Sequence, residues 1–187
     1  MKGTAPTDQL KAEHEKILIF LGIIQRICAG LEAKRDINPL YLGQVIEFIK
    51  IFVDKFHHGK EENLLFPAMR KAGGLRESGP ISELMIDHIK GRSLVRDMNL
   101  AALRYMKYDQ EAPTRFVERA KSYISLLIEH IHKEDETYFP VVEKALSEKQ
   151  KKELLRSFEE LEKTGTGLDE QASTLQILRD LEHSFPD

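Results

Sequence analysis

The sequence predicts an all-α protein, an antiparallel up-down-up-down four-helix bundle followed by a C-terminal helical annex. Three observations support this fold class. Apolar residues recur at helical spacing in four long stretches. A short polar turn that ends in proline joins the first stretch to the second, and another joins the third to the fourth. The second pair of stretches repeats the pattern of the first. The 187 residues are 41% hydrophobic and 32% charged, with only 11 glycines and 7 prolines, a composition typical of a soluble helical domain.

The bundle is predicted over residues 8–146. Its four helices are expected at about residues 8–34, 39–71, 81–108 and 113–146. Pro39 and Pro113 each follow a polar turn, and proline suits the first position of a helix because the missing N–H has no partner there. Pro67 lies inside the second helix and predicts a kink or the loss of one hydrogen bond.

Residues 147–187 are expected to form the annex, which caps or flanks the bundle. Ser147 is followed three residues later by Gln150, the pattern of a capping box at the start of a helix. A last helix is expected near residues 168–183, with leucines at helical spacing.

Charge and cysteine content exclude several kinds of partner. The formal net charge of -3 gives no electrostatic reason to expect nucleic acid or an anionic membrane as a partner. The apolar run at residues 17–24 is too short to span a bilayer. The single cysteine, Cys28, cannot form an intrachain disulfide and fits a reducing compartment, so we expect a cytoplasmic protein.

Two near-copies of one pattern, His-x-x-x-Glu followed by Phe-Pro, lie in the second and fourth helices. The first contains His57 and Glu61, and the second contains His130 and Glu134. Four residues make about one helical turn, so each histidine and its glutamate share a helix face. His58 lies at the edge of the same face and is a further candidate. Each copy therefore resembles half of a metal site.

Two more histidines extend the pattern on the first and third helices. His14 and His57 lie 22 and 21 residues from the centre of the first turn. His88 and His130 lie 22 and 20 residues from the centre of the second turn. In antiparallel helices joined by short turns, equal distances from the turn mean equal height. The four imidazoles are therefore predicted to meet at one level of the bundle.

A group of imidazoles and carboxylates inside a core needs a cation. A buried carboxylate without a partner costs at least several kcal/mol, and the alternative of unrelated core histidines would leave the glutamates unpaired. More than four donors suit two metal ions, and a donor set without thiolate favours iron, with manganese or a mixed pair as the alternative. The predicted ligands are His14, His57, His58, Glu61, His88, His130 and Glu134.

At these residues the chain resembles the hemerythrin-like superfamily, the HHE cation-binding domains, over roughly residues 8–146. The motifs that carry the resemblance are Glu13-His14-Glu15, His57-His58-Gly59-Lys60-Glu61-Glu62, Leu65-Phe66-Pro67, Asp87-His88, His130-Ile131-His132-Lys133-Glu134 and Phe139-Pro140. The resemblance implies a di-iron centre bridged by two carboxylates. Family members bind oxygen, sense oxygen or iron, decompose peroxide, or act on nitric oxide and in iron–sulfur repair.

The chain departs from the oxygen-carrying members of that superfamily at two positions. Those members have a second histidine four residues after the third-helix histidine, where this chain has Arg92. Their fourth-helix carboxylate corresponds to Asp135, but Glu134 is preferred here because it matches Glu61 in the repeat, and Asp135 is interpreted as a solvated charge. His58 is expected to replace the missing histidine. These differences favour the more reactive branches over reversible oxygen carriage.

The sequence leaves three functional hypotheses open. The first is a non-haem di-iron protein that binds or reacts with oxygen, nitric oxide or peroxide. The second is a non-enzymatic iron or oxygen sensor that acts through the annex or a protein partner that the sequence does not identify. The third is an iron store or donor. Tyr123, two turns before His130 on the same face, is interpreted as a core tyrosine with its hydroxyl satisfied.

Overall fold

The computed structural model describes residues 5–73, 79–163 and 167–186, and its regular structure in these ranges is helical. We number six helices there: α1 (Pro6–Glu32), α2 (Pro39–Phe48, Ile49–His58, Glu61–Leu65 and Phe66–Ala72), α3 (Gly79–Tyr105), α4 (Ala112–Lys133, Glu134–Tyr138 and Phe139–Ala145), α5 (Glu148–Lys163) and α6 (Gly167–Ser184). The predicted all-α class is confirmed. Within the described ranges, no helix is both long enough and apolar enough to cross a bilayer.

Two predicted helix starts have the expected capping groups. Pro39 occupies the first turn of α2, and the Oδ1 atom of Asn38 accepts a hydrogen bond of 3.0 Å from the backbone N–H of Leu40. Before α5, the backbone N–H of Ser147 donates to Oε1 of Gln150 at 2.9 Å, and the backbone N–H of Gln150 donates to Oγ of Ser147 at 3.4 Å. The proline and the capping box therefore fix these helix boundaries, as local chemistry predicts.

Parts of α2 and α4 are π-helical. The π-helical segments are Ile49–His58 and Glu61–Leu65 in α2, and Glu134–Tyr138 in α4. Each five-residue segment is followed at once by Phe-Pro, which opens the next α-helical segment. Proline removes an N–H and crowds the carbonyl four residues earlier, and a π turn, bonded over five residues, relieves that conflict. Both five-residue segments begin at a predicted carboxylate ligand.

The helices pack around two apolar clusters with a polar layer between them. α3 packs along α4, and α1 also packs against α4. On α1, Leu10 belongs to the smaller cluster and Ile17 to the larger one, while His14 lies between them. On α4, Ile131 belongs to the larger cluster and Phe139 to the smaller one. The candidate ligands therefore lie in the protein interior, between two hydrophobic layers.

The two C-terminal helices extend both clusters. Leu154 and Phe158 of α5 belong to the smaller cluster, and Leu178 and Leu181 of α6 belong to the larger one. Phe158 and Leu181 are fully buried. Residues 148–163 and 167–184 thus pack on the other helices through apolar side chains, as the leucine spacing predicted. Their division from residues 8–146 as an annex stays a prediction.

Candidate metal centre

Four histidines meet in pairs at the polar layer. The Nε2 atoms of His14 and His57 lie 3.0 Å apart, and those of His88 and His130 lie 3.1 Å apart. Each side chain is only 1% exposed. The equal distances from the turns therefore identified residues that the fold does bring to one level.

Glu61 lies between the two histidine pairs. One of its carboxylate oxygens, Oε1, is 3.6 Å from Nε2 of His57. The other, Oε2, is 3.4 Å from Nε2 of His88. The carboxylate is fully buried, so both of its oxygens are available to atoms placed between the imidazoles.

Glu134 has the matching position on the opposite helix. Its Oε2 atom lies 3.2 Å from Nε2 of His14 and 3.3 Å from Nε2 of His130. Asp135 points differently, with its Oδ1 atom 2.9 Å from Nδ1 on the outer side of the His14 ring. The interpretation of Asp135 as a solvated charge is wrong, because only 27% of its side chain is exposed and it contacts a histidine.

The candidate ligands form two groups whose ligand atoms lie within 4.8 Å of one another. Group A consists of His58, Glu61, His88 and His130, and group B of His14, His57, Glu61 and Glu134. The ring of His58 is buried and stacks on His88 with 3.8 Å between ring centroids. All seven predicted residues are thus brought together, and their binding of metal stays a prediction.

An outer ring of carboxylates faces the other nitrogen of each imidazole. The pairs and their Nδ1–oxygen distances are His14–Asp135 (2.9 Å), His57–Glu13 (3.0 Å), His88–Glu62 (2.7 Å), His58–Asp54 (3.5 Å) and His130–Asp87 (3.8 Å). Carboxylates in this position orient imidazole ligands and raise their basicity. This role was not predicted from the sequence. Most of them neighbour a predicted ligand in the sequence, and that adjacency was the available signal.

Arg92 joins two of these outer carboxylates. Its Nε atom donates to Oδ1 of Asp54 at 2.7 Å, and its Nη2 atom donates to Oε1 of Glu62 at 2.6 Å. Burial raises the pKa of the Asp54 carboxyl, but its contacts with His58 and Arg92 outweigh burial and lower it. Arg92 is therefore a cation that holds the outer partners of both His58 and His88.

Lys60 connects group B with the C-terminal helices. Its side chain is 1% exposed and forms ion pairs with Glu13 and with Glu162 of α5. Glu13 in turn contacts Nδ1 of His57, and Glu162 accepts a hydrogen bond of 2.8 Å from Nε2 of Gln9. No pattern in the sequence predicted this link, because lysine is almost never fully buried unless it is paired.

Burial opposes ionisation of both central carboxyls, yet their pKa values move in opposite directions. Burial raises the pKa of Glu134, and the charge of Glu61 raises it further, to about 8. For Glu61, burial is outweighed by the imidazoles of His57 and His88, which hold its pKa well below the ordinary value. Without a metal ion the pair therefore favours one negative charge over two.

The imidazoles also divide into two classes. Burial lowers the pKa of His14, but the hydrogen bond to Asp135 and the nearby charge of Glu134 outweigh burial and raise it to about 10. Burial and the charge of His88 lower the pKa of His58 to about 4. A metal ion binds the neutral imidazole, so metal binding displaces protons from the rings that hold them.

The donor set fits a metal ion. Among the described residues, neither carboxylate oxygen of Glu61 or Glu134 has a hydrogen-bond partner, and neither does Nε2 of His58. Each unpaired buried charge costs several kcal/mol, which a cation at this position would offset. Imidazole and carboxylate without thiolate suit iron or manganese.

A cavity of about 170 Å³ lies beside group A. His58, His88 and His130 line one part of it, and Tyr123 and Gly91 line another. The hydroxyl of Tyr123 is buried and has no hydrogen-bond partner among the described residues, so the prediction of a satisfied core hydroxyl is wrong. A small ligand could therefore occupy the space beside group A.

The sequence of this chain matches a known protein family. The model of the hemerythrin HHE cation binding domain matches residues 5–142. The chain belongs to this family. This hemerythrin-family chain is 26% identical over 182 residues to uncharacterized proteins of Mycobacterium tuberculosis and Mycobacterium bovis, covering 97% of its own length and 70% of theirs. No solved structure gives a significant match.

Proposed function

We propose that this hemerythrin-family protein holds two iron ions and binds or reacts with oxygen, nitric oxide or peroxide at a centre bridged by Glu61 and Glu134. The observation that carries the proposal is the pair of buried ligand groups with a cavity beside one of them. The family itself supports cation binding. Manganese or a mixed pair of ions is the alternative for the metal.

The chain's own residues explain how such a centre would be held. Outer carboxylates hold the rings of His14, His57 and His88 so that their Nε2 atoms point at the central glutamates. The apolar clusters on both sides exclude water, which strengthens electrostatic interactions at the polar layer. Bound iron would supply Lewis acidity and electrons to a small ligand.

Loading with ferrous iron without oxygen tests the proposal. We expect about two iron ions per chain by elemental analysis, and a new charge-transfer absorption band when oxygen, nitric oxide or hydrogen peroxide is added. His130→Ala is expected to lose iron, while His132→Ala, an exposed histidine on the same helix, serves as the matched control. A chain that binds no iron, or an iron-loaded chain that consumes none of the three ligands, would contradict the proposal.

A second candidate function, metal or oxygen sensing, is supported by the Lys60 link. Glu13 contacts the predicted ligand His57 and also pairs with Lys60, which pairs with Glu162 of α5. A change at the metal would therefore reach the C-terminal helices through charged contacts. Limited proteolysis of the metal-free and iron-loaded protein tests this function, which requires changed cleavage within residues 147–187.

The architecture and location that we propose follow from the same residues. We propose that the four helices that carry the ligands run up-down-up-down over residues 8–146, because each histidine pair comes from helices joined by a short connection. Residues 147–187 are then an annex on that bundle. The single buried cysteine supports a cytoplasmic protein, and the net charge of -3 gives no reason to expect nucleic acid or a membrane as a partner.

A further inference from the structure

The cavity beside group A is larger than a diatomic ligand needs. Its volume is about 170 Å³. One water molecule takes up about 30 Å³ in the liquid, and an apolar protein cavity of about 150 Å³ is known to bind benzene. The space beside group A is therefore sufficient for a molecule of about six heavy atoms.

Most of the cavity surface is apolar, although charged side chains such as Lys50, Asp54 and Arg96 also line it. The aliphatic side chains that line it are Ile49, Val53, Val95, Leu126 and Leu127. Val53, Val95 and Leu127 are buried, so they offer a preformed apolar surface. Such walls favour an alkyl group over a small polar ligand, because burying apolar area is favourable by about 25 cal/mol per Å².

One polar atom that the metal site does not use lies among the cavity-lining residues. The hydroxyl of Tyr123 is buried and has no hydrogen-bond partner within the described part of the chain. Burial raises the pKa of Tyr123 well above its ordinary value, so this phenol remains a hydrogen-bond donor. A ligand oxygen at this position would satisfy a donor that is otherwise unpaired.

Gly91 keeps the cavity open. It lies buried within α3, where glycine costs up to about 1 kcal/mol relative to alanine. A Cβ atom at this position would lie 3.7 Å from Cε2 of Tyr123 and 3.9 Å from Cδ2 of Leu126, both ordinary contacts. A side chain here would therefore fit against the walls and take up cavity volume.

We propose that this cavity binds a small organic hydroperoxide of about the size of tert-butyl hydroperoxide. The two oxygens face the imidazoles of group A and the hydroxyl of Tyr123, and the alkyl group packs against the valine and leucine walls. The inference rests on the proposed function and narrows its peroxide substrate to an alkylated one. A diatomic ligand would leave most of the cavity and its apolar surface unused.

Reduction of the bound hydroperoxide needs two electrons, which ferrous iron would supply. If groups A and B hold two ferrous ions, these ions would supply the two electrons that cleave the O–O bond, one from each ion, and solvent would supply two protons. The products would be the alcohol, water and two ferric ions. Tyr123 donates a hydrogen bond in this scheme and loses neither its proton nor an electron.

Binding can be tested separately from reactivity with tert-butyl alcohol, which is inert. The alcohol is titrated into metal-free and zinc-loaded protein, and methyl resonances are followed by NMR. We expect saturable shifts of the Val53, Val95 and Leu127 methyls.

Gly91→Leu should weaken binding of the alcohol at least ten-fold. Gly43→Leu, at an exposed helix position with no atom within 4 Å, should not change it. Tyr123→Phe should weaken it about five-fold, the effect of one neutral hydrogen bond.

Reactivity is tested by mixing the ferrous protein with tert-butyl hydroperoxide or hydrogen peroxide. Gly91→Leu should slow oxidation by tert-butyl hydroperoxide at least ten-fold and oxidation by hydrogen peroxide less than two-fold. Gly91→Ala, whose added atom makes only ordinary contacts, gives a smaller change in the same direction and covers the case in which the leucine variant does not fold.

The outcomes separate this inference from the proposed function. If hydrogen peroxide reacts but tert-butyl hydroperoxide does not, and the alcohol does not bind, the inference is wrong and the proposed function stands. A second outcome is that the alcohol binds, Gly91→Leu prevents that binding, and neither the two peroxides nor oxygen nor nitric oxide reacts. In that case the cavity does bind a small organic molecule, and the proposed function is wrong. Equal effects of Gly91→Leu and Gly43→Leu overturn the inference.

Discussion

Arg92 organises the outer surroundings of two candidate ligands. Its guanidinium binds the carboxylates of Asp54 and Glu62 on the outer side of His58 and His88. The guanidinium is thus a cation that positions the outer partners of both rings.

Arg92→Ala is expected to weaken metal binding about 10- to 100-fold, the usual effect of removing an outer partner of a ligand. The physical reason is that Asp54 and Glu62 lose the cation that they share and hold the rings less firmly. Competition with a chelator measures the affinity. Arg96→Ala, an exposed arginine about one turn further along α3, is the control. Equal affinities for the two variants would show that Arg92 does not position the site.

Cys28 is expected to be unreactive in the folded protein. The side chain is 1% exposed, and burial raises the pKa of its thiol to about 12. At pH 8 only about one chain in ten thousand then carries the thiolate, the reactive form. Labelling with iodoacetamide, followed by mass spectrometry, should be at least a hundred-fold slower in native protein than in urea. Similar rates would contradict the burial of this thiol.

The inner residues of the site were predictable from the sequence, and the outer ones were not. Helical spacing and distance from the turns identified the histidines and glutamates, because those rules fix face and height. The outer pairing depends on which ring each carboxylate faces across the helix interface. Asp87, for example, precedes His88 in the sequence but lies beside Nδ1 of His130, at 3.8 Å.

At the scale of the helices, α5 contributes a charge to the interior of the bundle. Glu162→Gln is expected to lower the free energy of unfolding by about 2 kcal/mol, because the buried ammonium of Lys60 loses one of its two carboxylates and keeps Glu13. Urea denaturation of the metal-free protein measures the change.

The matched control for this variant is Glu153→Gln on the same helix. Its exposed carboxylate lies 3.8 Å from an exposed Lys149, so the expected change is under about 0.5 kcal/mol. If the two variants lose the same stability, Glu162 does not stabilise the fold through Lys60.

The periodicity of apolar residues predicted the helices but not their π-helical segments. An α-helix has 3.6 residues per turn, and a widened turn over five residues changes the apolar pattern too little to be recognised. The repeated Phe-Pro was visible, and Pro67 did predict a disturbed helix. What it could not indicate is that π-helical turns already occur over Ile49–His58 and that a second π-helical segment begins at Glu61, a candidate ligand.

At the scale of the whole molecule, metal binding should stabilise the fold, because the candidate ligands come from four helices. A metal at 100 times its dissociation constant adds about 2.7 kcal/mol, which for a chain of this length raises the melting temperature by about 5–10 °C. Calorimetry with and without iron measures the shift. Glu61→Gln should lose most of it, and Glu136→Gln, exposed on α4, should keep it. A shift that is equal in both variants would place the ion elsewhere.

The sequence predicted the fold class better than the way its last part packs. Periodicity showed that residues 147–187 would be helical with an apolar face. It could not show that α5 and α6 extend different clusters, with Phe158 in the smaller and Leu181 in the larger one. That assignment depends on the path of the chain between these helices and on the shapes of the surfaces they cover.

Glu61 belongs to both ligand groups, one oxygen towards each histidine pair. An ion that enters either group would orient this carboxylate and hold together the three helices that supply that group, α2 and α4 with α3 in group A or with α1 in group B. The second ion would then meet a largely assembled set of donors and bind more tightly than the first. Metal uptake should consequently be cooperative, with a sigmoidal isotherm, and chains that carry a single ion should be scarce at half saturation.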